Sequence, residues 1–189
     1  ILAYCSVLMD GYAAEANKAG AAPLRVHTSC VPYEYQAGVP PRIVTVPYEE
    51  DLANMADDIR KAKQAAHAVI VSMHWGVHYI PRLIAEYQPI AAKAAFDAGA
   101  DLILGHHPHV PKAIEVIDGK VCFYSLGNFV MSDYSGSKPG FAEKFKRYGV
   151  VPDIEEFPRC PSGRDSKHSL IAKAVLSRDG VDKVSFLPV

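Results

Sequence analysis

Three of the chain's eight histidines fall within four positions, His106, His107 and His109, in the run Gly105-His106-His107-Pro108-His109. A further histidine, His74, heads the run His74-Trp75-Gly76. Imidazole is a borderline donor, and three imidazoles converging at one place suit a transition ion such as zinc, manganese or iron. Pro108 biases the residue before it toward extended backbone, and in an extended segment side chains at i and i+2 point the same way. His107 and His109 are therefore expected to converge, with His106 directed elsewhere. The rival reading of the same residues is a purely structural cluster of hydrogen-bonded histidines.

The elements around these residues decide whether they can meet. Residues 1 to 8 read as a buried strand. Residues 9 to 41 are mixed, with a short helix possible from Ala13 to Ala19 and loop elsewhere, punctuated by Gly20, Pro23, Pro32, Gly38, Pro40 and Pro41. Arg42 to Val46 alternate toward a short strand. From Glu49 to His67, Leu52, Met55, Ile59 and Ala62 recur at helical spacing, and Glu49, Glu50 and Asp51 favour the helix N-terminus. Ala68 to Met73 is a continuous apolar run of the sort buried on both faces of a parallel sheet. Pro81 to Ala98 reads as a second helix, closed by Gly99, and Asp101 to Leu104 as the next strand. Strand, helix and strand make a βαβ unit, whose crossover is almost always right-handed and makes its strands parallel. His74 and the Gly105–His109 run then emerge at the same carboxyl edge, where open α/β sheets place their ligands.

Downstream, Ala113 to Val116 and Val121 to Leu126 flank Asp118-Gly119, a two-residue hairpin signal. Residues 129 to 167 form a long irregular stretch rich in Ser, Gly, Pro and charge, expected to be an insertion or lid. A second hairpin, Ser169 to Leu176 and Val184 to Leu187 about a turn near Asp179-Gly180, ends the chain. All 189 residues are read as one domain, and the opening Ile1-Leu2-Ala3-Tyr4, already strand-like, as the start of a fragment lacking its N-terminal half.

Other residues carry weaker signals. His78 lies four after His74, but Gly76 and Pro81 argue for a loop, so it is expected to be exposed or to stand behind the ligands. Trp75 fits either a wall or a substrate platform. Asn128 either caps a turn or lines the same cleft. His27, His67 and His168 are read as structural or solvated, and Lys61 and Lys63 as a solvated helix face. Cys5 and Cys122 lie in apolar runs and read as core, while Cys30 and Cys160 lie in loops and could pair. No cysteine sits in a C-x-x-C pair, and no G-x-S-x-G, Walker-type or G-x-G-x-x-G element occurs. Twenty basic against twenty-one acidic side chains leave no electrostatic footprint for nucleic acid or an anionic membrane. No apolar run approaches the roughly 20 residues of a membrane span, and no signal peptide is visible.

Three runs together, Val69-Ile70-Val71-Ser72-Met73-His74-Trp75-Gly76, Asp97 to Val110, and Phe123-Tyr124-Ser125-Leu126-Gly127-Asn128-Phe129, resemble the CapA family of capsule-synthesis proteins associated with poly-γ-glutamate. The resemblance is specific over residues 68 to 130 and loose elsewhere. It implies an α/β fold that is part of a four-layer αββα sandwich of the calcineurin-type metallophosphatases, with a two-metal site. By position, His74 matches that superfamily's earlier histidine, and His107 and His109 its H-x-H pair. Asn128 matches the asparagine of the family's S-L-G-N-F motif, standing behind the ligands. The early Gly-Asp, Asn-Glu and Asn-Asn-His motifs of such proteins do not occur in these residues, and His78 stands where the family often carries Glu.

The expected function is then capsule biosynthesis, with two alternatives. One is a hydrolase or transferase using a divalent Mn, Zn or Fe ion, two in the full-length protein. It would act on a phosphoester or a γ-linked glutamate amide, with His74, His107 and His109 as ligands and His106 as ligand or proton donor beside Asn128. The other is a non-catalytic accessory protein that binds a polyanionic polymer or capsule-synthase subunits. Localisation is at the cell envelope if the full-length protein carries a signal or anchor, and cytoplasmic otherwise.

Overall fold

The computed structural model describes residues 1–130, 145–150 and 163–189. Most of the insertion expected over 129–167 therefore lies outside the described residues. Its described parts include Phe145–Val150 and a 3₁₀ turn at Arg164–Lys167.

The chain is mixed α/β around a five-stranded sheet. In sequence order the strands and helices are β1 (Leu2–Cys5), β2 (Val26–Val31), β3 (Arg42–Pro47), α1 (Glu49–Ala65), β4 (Ile70–His74) and α2 (Tyr87–Asp97). They continue with β5 (Leu102–His106), β6 (Ile114–Ile117), β7 (Lys120–Phe123), β8 (Leu170–Ser177) and β9 (Gly180–Pro188). The main sheet runs β1-β4-β5-β7-β6. Its first four strands are parallel, and β6 folds back antiparallel on β7. β2 with β3, and β8 with β9, form separate antiparallel ribbons.

The expected βαβ unit is β4–α2–β5, and its parallel register pairs His74 with His106 at the carboxyl ends. Both helices cover one face of the sheet. Tyr4, Val71, Met73, Ile103 and Cys122 point to that face and share a core with Met55 and Ile59 of α1 and Ala91, Ala95 and Phe96 of α2. The other face carries Ile70, Ser72, His74, Leu104, His106 and Phe123. The β8–β9 ribbon covers part of it, with Phe186 edge-on to Phe123 at 6.5 Å. Phe123 is buried there, while Ile70, Ser72 and Leu104 stay half-buried.

Several local expectations differ from the structure. Residues 13–19 form no helix: Ala14 N–H donates to Ala21 O and Glu15 N–H to Lys18 O, closing a tight turn. Val26–Val31, expected as loop, is a strand, because pairing with β3 satisfies a backbone whose polar side chains give no apolar alternation. The second helix begins at Tyr87 rather than Pro81. Arg82 has φ +65°, incompatible with a helical turn, and the buried Lys112 ammonium takes the carbonyls of Ile80 and Leu83. Gly99 ends that helix as expected, at φ +111°. Lys63 is not merely solvated. Its ammonium pairs with Asp101 at 2.8 Å, and the same carboxylate accepts from Val69 N–H at 2.7 Å, tying α1 to the starts of β4 and β5.

Cys122 is a core residue, as expected, and Cys5 is only partly buried. Cys30 is exposed, and Cys160, the partner it could take, lies outside the described residues. Among the described residues no helix is long and apolar enough to cross a membrane.

Candidate metal centre

The carboxyl edge of the sheet is built to hold β4 and β5 close. Trp75 N–H donates to His106 O at 3.1 Å, and Ser6 N–H donates to His74 O at 2.9 Å. Gly105 must lack a side chain, because a Cβ there would lie 2.2 Å from the Tyr124 carbonyl oxygen. Trp75 is fully buried, donates its indole N–H to Tyr124 O at 2.9 Å and stacks on the Tyr124 ring. That settles its role as wall, not platform.

From this edge the imidazoles meet. His107 Nδ1 lies 3.2 Å from His74 Nε2, with the rings edge to face. The convergence of His107 with His109 does not arise as the extended-backbone argument expects. His107 has φ +96° and His109 φ +59°, both left-handed, so the alternation rule does not apply. Instead His78 lies between them, its ring centroid 3.8 Å from that of His107 and 5.6 Å from that of His109. His78 is the member that the sequence undervalued. Its i+4 spacing from His74 was the available signal, and the loop through Gly76 (φ +88°) returns it to the cluster without a helix. His106 lines a largely apolar cleft with Leu104, Leu126, Leu170 and Ile171, to which His107 and His109 do not contribute.

Two segments carry the cluster, the loop after β4 and the run after β5, and they are latched together. Tyr79 N–H donates to Pro108 O at 2.8 Å, its ring stacks on His109, and Lys112 grips the loop from the other segment. Tyr79, Arg82, His107 and His109 all have positive φ. Each such non-glycine conformation costs on the order of 1–3 kcal/mol, and residues of this kind gather at functional sites.

His109 is held by Asn128. Asn128 Oδ1 lies 2.7 Å from His109 Nδ1, while Asn128 Nδ2 donates to His109 O at 3.1 Å and Ser166 O at 2.9 Å. Both Nδ2 partners are carbonyls, which fixes the orientation of the amide. His109 Nδ1 therefore carries the proton, and the lone pair of the neutral ring is on Nε2. Asn128 thus stands against His109, and it also anchors the 3₁₀ turn.

The electrostatics favour neutral imidazoles. Burial, helped by the neighbouring His78, His74 and His109, holds His107 down to about 3. Burial, then His109, lowers His74; burial, then His74, lowers His106. Neutral imidazole is the form that binds metal. Two nitrogen ligands of one tetrahedral ion, at about 2.0–2.1 Å, lie about 3.3 Å apart, close to the His74–His107 separation. Among the described residues, however, no group of three or more His, Cys, Asp and Glu side chains is disposed to hold an ion. The donors fit one side of a metal site and leave its remaining ligands to be supplied.

The model of the family described as bacterial capsule synthesis protein PGA_cap matches residues 1–133, which include every histidine of the cluster and Asn128. A protein named PGA biosynthesis protein CapA, of Bacillus subtilis, is 42% identical over 123 residues, 57% of this chain and 30% of that protein. A capsule biosynthesis protein CapA of Bacillus anthracis is 48% identical over 80 residues, 38% of this chain and 18% of that protein. A probable polyglutamine synthesis accessory protein of Mycobacterium tuberculosis is 34% identical over 100 residues, 50% of this chain and 24% of that protein. The chain thus matches less than a third of the length of each of these relatives.

Proposed function

The chain belongs to the bacterial capsule synthesis protein PGA_cap family, the CapA family, and from that premise we propose that it supplies the histidine side of a metal-dependent hydrolase or transferase site in capsule-polymer synthesis. The observation that carries this reading is the His74–His107 nitrogen pair at 3.2 Å. His109, with its Nε2 lone pair available, stands beside it. His74 and His107, with His109 as a third candidate, would contribute part of the ligand set of a divalent transition ion of the Mn, Zn or Fe type, the rest coming from outside the described residues. Such an ion would supply Lewis-acid polarisation of a phosphoryl or carbonyl oxygen.

The chain's own residues do the rest. Desolvation keeps the three lowered imidazoles unprotonated near neutral pH. Asn128 holds His109 in one tautomer, and His106, directed onto the neighbouring cleft, could hold or release a proton there. The finer architecture is also part of the proposal. Helices cover one face of the main sheet and the other is only partly covered by β8–β9, which supports one half of a four-layer αββα sandwich. The remaining ligands, and a second ion, would come from the other half. Residues 1–189 would form one domain with it.

A second reading has its own support. No complete ligand group exists among the described residues, and the Mycobacterium tuberculosis relative is named an accessory protein. In that reading the site is vestigial, and the protein binds a polyanionic polymer or capsule-synthase subunits.

One experiment separates these. The natural protein carrying this region is purified with its metal quantified, and hydrolysis of phosphoesters and γ-glutamyl amides is measured for wild type, His107→Ala and His109→Ala. Bound metal with activity lost in both variants supports the enzyme. Bound metal without turnover supports the accessory reading. No metal at a stringent detection limit, with stability unchanged by substitution, leaves a structural histidine cluster.

A further inference from the structure

The histidine that heads the cluster, His74, ends β4 in register with Cys5 of β1 and His106 of β5. Its backbone is held further from two sides. Ser6, just past β1, donates its N–H to His74 O at 2.9 Å. Gly76, two residues after His74, donates its N–H to the Tyr87 hydroxyl at 2.6 Å. The same hydroxyl lies 2.6 Å from Ser6 Oγ.

One phenolic oxygen therefore closes a ring of contacts around His74. Tyr87 is well placed for this. It opens α2, is 5% exposed, packs edge-on against Trp75, and has its N–H bound to Thr45 Oγ1 at 3.2 Å. Burial pushes its hydroxyl up, so it stays a neutral phenol. Having accepted from Gly76, it has one proton to give, and Ser6 Oγ is the acceptor within reach. The adjacent Gln88 amide completes the seat. A Cβ on Gly76 would lie 2.8 Å from Gln88 Nε2, and Gly76 has φ +88°.

We propose that Tyr87 is a positioning residue that sets the His74 imidazole against His107. This rests on the metal-site reading for its purpose, but the placement itself is a property of the metal-free chain. Sites of this kind need their donors held within about half an ångström, and groups behind the ligands typically contribute 10–100-fold in metal affinity.

Tyr87→Phe removes the hydroxyl and keeps the ring against Trp75. Ser6→Ala removes the other end of the same bond. Thr45→Ala loosens α2 without touching the hydroxyl, and so controls for a general structural effect. The first readout is the nuclear Overhauser contact between the His74 and His107 rings in the metal-free chain. The second is cobalt(II) affinity and its absorption spectrum.

The expected result is loss of the ring contact in Tyr87→Phe and a 10–100-fold weaker cobalt affinity with an altered spectrum. Ser6→Ala should act in the same direction, the double variant should lose little more, and Thr45→Ala should match wild type. An unchanged ring contact in Tyr87→Phe overturns the proposal, as does an equal effect in Thr45→Ala. If the natural protein carrying this region binds no cobalt, the metal reading fails, and the ring contact still decides the role of Tyr87.

Discussion

His109 Nδ1 and Asn128 Oδ1 lie 2.7 Å apart, and the other end of the same amide is committed to two carbonyl oxygens. The pair therefore specifies which nitrogen of His109 faces the cluster with a lone pair. Asn128→Ala should free the ring to change tautomer and weaken zinc or cobalt binding about 10–100-fold. Asn128→Asp keeps an acceptor for His109 but turns a carboxylate toward two carbonyls. It should hold metal affinity within a few-fold while lowering the melting temperature. Chelator-competition titrations and thermal melts of the two variants check this split.

Lys112 is buried against backbone carbonyls, and burial pulls its ammonium down to about 8. An unfolded lysine titrates near 10.4. Between these values the unfolded chain binds a proton that the folded chain does not, so this group's contribution to stability rises with pH across roughly 8 to 10.4. Denaturant melts of wild type and Lys112→Met should show wild type gaining on the variant by up to about 3 kcal/mol over that window. A constant difference between the two would show that Lys112 titrates normally.

His107 works in the acid range with the same sign. Its folded value of about 3 lies below the unfolded value near 6.5. The unfolded chain takes up a proton first as pH falls, so stability attached to His107 is present above about 6.5 and is lost progressively toward 3. His107→Asn should flatten the acid limb of the stability curve between pH 6.5 and 4. Urea midpoints measured across that interval read the effect directly.

Gly105→Ala drives a methyl group into the Tyr124 carbonyl at 2.2 Å, a contact with backbone that no rotamer change relieves. The expected loss is about 3 kcal/mol or more, through separation of the β5 end from the segment that leaves β7 at Tyr124. Gly119→Ala, in the β6–β7 turn with nothing near its Cβ position, carries only the cost of its φ of +79°. It should be the milder change, and equilibrium unfolding of both variants ranks them.

The parts of this molecule legible in the sequence are those governed by period and by chain direction. Ala68 to Met73 and Asp101 to Leu104 are apolar runs flanking a helix, and parallel pairing at their ends follows from crossover handedness. That brought His74 to the same edge as Gly105–His109. What lay beyond reach was set by tertiary latches. The left-handed backbone of His107 and His109 has no local signature, and Pro108 suggested the opposite. His78 entered through a loop whose course depends on Pro108, which accepts from Tyr79, and on Lys112, both distant from it in sequence. The early end of α2 at Tyr87 depends on the same lysine. Asn128 was legible as a candidate, but its bond to Ser166 crosses a stretch from which no pairing could be read.

The latch between the loop after β4 and the run after β5 also bears on how the site opens. Tyr79 N–H on Pro108 O and Lys112 on Ile80 and Leu83 leave neither segment able to move far alone. Amide protons of Tyr79 and of the residues around His107 should then exchange with solvent as one cooperative unit, with a shared opening free energy below that of the sheet. His78, His107 and His109 would leave His74 or stay with it together, so a population of this protein would contain molecules with the cluster closed and molecules with it open, and few in between.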